Sequence, residues 1–77
     1  MAKLPRLSAD EIVKALTKKQ GFTVSRMSGS HIILTKENPP PKKTVVVPNY
    51  SEVAMGTLLS IIRQTGMTKE EFLKMFQ

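Results

Sequence analysis

The spacing of apolar residues changes twice along this chain, and that double change restricts the fold more than any other feature. Between Ser8 and Lys19, Ile12, Val13 and Leu16 recur at helical spacing. From Phe22 to Val47 the pattern turns to short alternating and β-branched runs, and helical spacing returns with Leu58, Ile61 and Ile62. A helix, a group of strands and a second helical stretch within 77 residues leave room for one layer of each. A chain of this size buries only about 60% of the surface it exposes when unfolded. It therefore reads as one domain over residues 1–77, with one core and no deep enclosure for a large cofactor.

Local signals place the elements. Ser8 can cap the first free amides of a helix, with Glu11 at capping-box spacing. Asp10 and Glu11 in its first turn and Lys18 and Lys19 in its last suit the helix dipole. Gly21 stops it, and Phe22 can fold back on the last turn. Phe22-Thr23-Val24-Ser25 alternates as a strand, Met27-Ser28-Gly29-Ser30 reads as a turn, and His31 to Thr35 is a second strand. Glu37 to Lys43 is a stiff loop built on Pro39-Pro40-Pro41, since prolines cannot donate to a sheet; such a run also serves elsewhere as a ligand for other domains. Thr44 to Val47 forms a third strand ended by Pro48. A second helix begins at Gly56-Thr57 and ends at Gly66, with Arg63 and Gln64 toward solvent. Thr68 and Glu71 open a short third helix whose stripe is Phe72, Met75 and Phe76.

The order α-β-β-β-α-α predicts an α+β sandwich of two layers, a three-stranded antiparallel sheet with the helices on one face. The other face would be open to solvent. Strand parity divides His31, Ile33 and Thr35 from Ile32, Leu34 and Lys36. Ile32 and Leu34 suit the core, with Lys36 snorkelling at the strand end. His31 then lies on the open face beside the Ser28-Gly29-Ser30 turn.

The net charge of +6, from 12 Lys and Arg against 6 Asp and Glu, predicts attraction to a polyanion: nucleic acid, an anionic surface or an acidic protein. Solubility alone also accounts for basic charge on small proteins. With no cysteine, disulfides and thiolate metal sites are excluded, and the cytosol is the simpler location. The stretch Met1 to Leu7 has no apolar run fit for a signal peptide, and no segment is long and apolar enough for a membrane span.

The chemical inventory is short. Of the six carboxylates, Asp10-Glu11 and Glu70-Glu71 belong to helix starts, Glu37 to a loop, and Glu52 stands alone. No spacing suggests a metal site, and no phosphate-binding glycine loop is present. His31 is the single histidine, and histidine is the side chain suited to proton transfer near neutral pH. RNA offers a matching reaction, because its 2′-hydroxyl is a nucleophile held beside the scissile phosphate. A positioned histidine can move the proton, and Arg26, Lys36, Lys42 and Lys43, near the hairpin in sequence, can offset phosphate charge. Neither a metal nor a cofactor is needed, and DNA would be a poor substrate. The plainer alternatives are a surface histidine and solvated lysines. Gly56 and Thr57 offer free amides where a phosphate can dock, or an ordinary helix cap.

One pattern covers nearly the whole chain. Gly29-Ser30-His31 opens a strand and Val47-Pro48 closes the next. The run Gly56-Thr57-Leu58-Leu59-Ser60-Ile61-Ile62-Arg63-Gln64-Thr65-Gly66 follows, then Thr68-Lys69-Glu70-Glu71-Phe72. In this order and spacing the chain resembles the HicA toxin family. The resemblance implies a double-stranded-RNA-binding-domain-like fold. It implies an mRNA interferase in a prokaryotic cytoplasm whose catalytic histidine is His31, positioned by Gly29 and Ser30. It also implies a HicB antitoxin partner that blocks the site and carries the complex to operator DNA. Many members of the family have a second histidine two residues after the proline of the Val-Pro step, where this chain has Tyr50. Tyr50 can donate a hydrogen bond to phosphate or be structural. The expectation is a metal-independent endoribonuclease; a non-catalytic RNA-binding module is the alternative, and a pure protein-interaction domain is a third.

Overall fold

The computed structural model describes residues 5–76. Met1 to Leu4, part of the stretch inspected for a signal peptide, lies outside them. The order is α1 (Ala9–Lys19), β1 (Thr23–Ser28), β2 (His31–Lys36), β3 (Lys43–Pro48), α2 (Met55–Thr65) and α3 (Lys69–Lys74). The fold is α+β with a three-stranded antiparallel sheet in the order β1-β2-β3, compatible with the double-stranded-RNA-binding-domain-like arrangement.

Capping works as the sequence predicts at two of the three helices. The Ser8 hydroxyl accepts from the Glu11 N–H at 3.1 Å while the Glu11 carboxylate accepts from the Ser8 N–H at 2.9 Å. Thr68 and Glu71 repeat the exchange at α3. The Glu71 carboxyl is held below its ordinary value, chiefly by the Thr68 backbone N–H it accepts. Gly21, at φ 76°, turns the chain so that the Phe22 N–H donates to the Leu16 carbonyl, and Phe22 is buried. The second helix differs from expectation. It starts at Met55 with Ala54 as its cap residue and no side-chain cap, so Thr57 lies inside the first turn and caps nothing.

The hairpin also runs further than its alternation suggested. β1 continues through Ser28, and only Gly29 and Ser30 make the turn. Gly29 sits at φ 58°, the conformation that the first position of a tight two-residue hairpin requires. A bulge between Val24 and Arg26 takes up one residue, and pairing resumes as Arg26↔Ile33, Met27↔Ile32 and Ser28↔His31. An alternation count breaks at a bulge, which is why the strand looked shorter in sequence.

Ile32 and Leu34 are buried with Val45 and Val47, as strand parity predicted. Against them pack Ile12 and Leu16 of α1, Leu58, Ile61 and Ile62 of α2, and Phe72 of α3. The opposite face carries the rows Ser28–His31–Pro48, Arg26–Ile33–Val46 and Thr23–Thr35–Thr44. Among the described residues no helix is long and apolar enough to cross a membrane.

Candidate active site

His31 begins β2, fixed from both sides. The turn before it is closed by Gly29, and the Ser30 carbonyl accepts from the Asn49 N–H at 2.6 Å, tying the turn to the end of β3. His31 pairs across the sheet with Pro48. A proline is tolerated there because of edge geometry. The Val46 N–H points out of the sheet to the Gln64 side chain, and Pro48 shares its parity, so its missing N–H removes no bond to β2.

Tyr50 lies on a loop, yet its backbone is held on both sides. Its N–H donates to the Pro48 carbonyl at 2.8 Å, and its carbonyl accepts from the Ala9 N–H at 2.9 Å, one of the free amides at the start of α1. Three residues on, the Val53 N–H donates to the Leu7 carbonyl. The residue is 55% exposed. His31 and Tyr50 line one open hollow of about 330 Å³.

The hollow lies where α2 lies alongside the outer edge of β3. Val46, Pro48 and Ile61 supply its apolar surface, and Thr57, Ser60 and Gln64 contribute polar groups from α2. Spacing of three and then four residues puts those three on one helical stripe. Gln64 does not simply face solvent, as the sequence suggested. Its Oε1 accepts from the Val46 N–H at 2.8 Å and fastens the helix to the sheet edge. Sequence reading missed Ser60 and Gln64 as site residues, although the polar stripe at positions 57, 60 and 64 was visible. Two other hollows, one against Pro5 and Leu58 and one against Lys19 and Met75, include neither His31 nor Tyr50.

The basic residues divide. Arg26 is exposed on the same face as His31 and one row away. Lys36 and Lys43 are not beside His31: they pair with each other at the opposite end of the sheet, about 16 Å away at the rise of an extended strand. Both have the parity of the helix-facing side. The Lys36 ammonium lies 5.7 Å from the centre of the Phe22 ring, next to the end of α1. The Lys43 side chain lies over Gly66, where α2 ends. Cations at helix C-termini offset the dipole, so these two have a structural task. Lys19 has a similar one, donating to the Met75 carbonyl at 2.6 Å. Lys42 is exposed in the proline loop. Sequence proximity suggested a cluster because a strand end and a loop are near in number; an extended strand separates its two ends.

Gly56 and Thr57 are in the first turn of α2, and only Thr57 lines the hollow. Glu52, read as solitary, approaches Arg6 at 3.9 Å, with both side chains exposed. Among the described residues no three His, Asp or Glu side chains converge, and no hydrogen bond is made to the imidazole of His31.

Comparison with curated proteins returns no match. The family described as HicA toxin of bacterial toxin-antitoxin matches residues 9–67, from the first residue of α1 to just beyond α2. That span holds the whole sheet, His31, Tyr50 and the helix that completes the hollow, and the chain belongs to the HicA toxin family.

Proposed function

We propose that this toxin is a metal-independent endoribonuclease in which His31 is the general acid/base. The observation that carries the reading is the exposed His31 lining a hollow in a toxin of this family. HicA toxins are mRNA-cleaving proteins, and membership in a toxin–antitoxin family brings an antitoxin partner. In the proposed reaction His31 takes the proton of the ribose 2′-hydroxyl. The 2′-oxygen attacks phosphorus, the bond to the 5′-oxygen breaks, that oxygen takes a proton from water, and the imidazolium returns its proton to the solvent. The products are a cyclic 2′,3′-phosphate and a free 5′-hydroxyl. A general acid/base of this kind contributes about 10²–10⁴-fold.

Gly29 and Ser30 position His31 by holding the turn, and Tyr50 positions substrate. Arg26, one row from His31 on the same sheet face, would offset charge on the reacting phosphate. Lys36, Lys42 and Lys43 would meet only a longer strand that passes to the far end of the sheet, and Gly56 with Thr57 would meet backbone at the α2 start. A HicB-like antitoxin would inhibit by covering the hollow and would link the complex to operator DNA.

The test is incubation of purified protein with RNA in excess EDTA. Expected are cyclic phosphate ends, protection by a 2′-deoxy sugar at the cut site, and a loss of about 10²–10⁴-fold in His31→Ala. His31 is exposed, so that variant should keep its stability to within about 0.5 kcal/mol. Intact RNA, or undiminished cleavage by His31→Ala, would overturn the reading. The second reading, a non-catalytic RNA-binding module, rests on the +6 charge and on Tyr50 standing where many members of the family have a second histidine. That reading predicts salt-dependent binding with the RNA left whole.

A further inference from the structure

We infer that the hollow beside His31 is a nucleobase subsite, in which the Tyr50 ring stacks on an unpaired base and the α2 stripe reads that base's edge. The inference rests on the ribonuclease reading for its place in a reaction, and its binding test does not. Three observations point to a base rather than to a phosphate.

The first is charge. The chain carries +6, yet among the described residues no lysine or arginine lines this hollow. A phosphate pocket would be expected to recruit cations. The lining here is apolar at Pro48 and Ile61 and neutral-polar at Ser60 and Gln64. A base has the same division, with apolar faces and a hydrogen-bonding edge.

The second is the aromatic. Tyr50 is the only tyrosine in the chain. More than half of its surface is open, on a backbone held at both its N–H and its carbonyl. Single-stranded RNA is recognised mainly by stacking splayed bases on exposed aromatic rings, and a rigid mount reduces the entropy lost on binding. The hollow's volume of about 330 Å³ is at the low end of the range for small-ligand sites, roughly 300–1,000 Å³.

The third is the fixed amide. Because the Gln64 Oε1 accepts from the Val46 N–H, the amide orientation is settled by the bond. Its NH₂ group is left as the hydrogen-bonding end available to a ligand. A base that presents an acceptor on its edge fits this donor, and the Ser60 hydroxyl adapts to either sense.

The experiment uses His31→Ala protein, so that turnover does not enter. Fluorescein-labelled RNA pentamers of A, C, G or U, and an abasic pentamer with the same phosphates, are titrated in EDTA and followed by anisotropy. The pentamers should differ in affinity according to base, and the abasic strand should bind weakest. Tyr50→Leu should weaken base-containing strands by about five- to a hundredfold and leave the abasic strand unchanged. Tyr50→Phe, which keeps the ring, should retain most of the affinity. Gln64→Glu keeps an oxygen for Val46 and exchanges the donor for an acceptor. Relative to the abasic strand, it should reorder the four bases. Equal binding of abasic and normal strands, or no effect of Tyr50→Leu, would overturn the subsite. If base-selective binding is found and the wild-type protein leaves RNA whole, the ribonuclease reading alone fails. If the wild-type protein cleaves and shows no base dependence, the subsite alone fails.

Discussion

The separation of cations along the sheet predicts a split between short and long RNA substrates. A charge at Lys36 or Lys43 is about 16 Å from a phosphate held at His31, at the rise of an extended strand. In water that is a Coulomb term of about 0.3 kcal/mol, and two Debye lengths of screening at physiological salt bring it below about 0.1 kcal/mol. Arg26 is a diagonal cross-strand neighbour of His31, about 7–8 Å away. For effective dielectric constants between 20 and 80, with one Debye length of screening, its contribution is about 0.2–0.9 kcal/mol. On a dinucleoside phosphate, Arg26→Ala should therefore lower kcat/KM by about 1.5- to fivefold. The triple variant Lys36→Gln/Lys42→Gln/Lys43→Gln should leave it within error. On a long single strand the triple variant should instead flatten the plot of log affinity against log salt by about 2, at roughly 0.7 per cation lost. Lys36 and Lys43 also support helix ends, at about 0.3–1 kcal/mol each, so both assays are run well below the measured melting temperature. Equal loss by the triple variant and Arg26→Ala on the dinucleoside phosphate would refute the geometry. So would an unchanged salt slope on long RNA.

Other consequences concern the scaffold. Gly29→Ala meets open space, so its cost is backbone alone; urea denaturation should show a loss of about 1–2 kcal/mol, and none would mean that the turn relaxes freely. Leu34→Ala, fully buried on the central strand, should cost about 2–5 kcal/mol, whereas Met27→Ala on the exposed β1 should stay within about 0.5 kcal/mol; similar values would contradict the one-sided core. Glu71 has a lowered carboxyl in the folded state, so its stabilisation of α3 is present above the ordinary glutamate value and is lost as pH falls through the lower folded value. An NMR titration should give a Glu71 midpoint below that of a free glutamate and closer to it in Thr68→Ala; a midpoint at or above the free value would refute the capping account.

How much was legible in the sequence depended on the range of the physics involved. Helix caps at Ser8 and Thr68, the stop at Gly21 and the parity of Ile32 and Leu34 are decided within a few residues, and each could be read directly. The family pattern, carried by Gly29-Ser30-His31 and the Gly56 to Gly66 run, was equally visible, and residues 9–67 match that family. The length of β1 was not, because a bulge shifts the alternation and only pairing with β2 restores it. Nor was the separation of Lys36 and Lys43 from His31, since residues a few positions apart on an extended strand end up at opposite ends of a sheet. The hollow could not be read at all. Leu58, Ile61 and Ile62 bury α2 against the sheet, and Gln64 accepts from the Val46 N–H that β2 leaves free, so that Thr57 and Ser60 share one cavity with His31 and Tyr50. The sequence alone thus determined the order of elements, the core face and the candidate histidine. Tertiary structure decided which side chains share a cavity with it, because an edge strand's free N–H is satisfied by whichever element packs beside it.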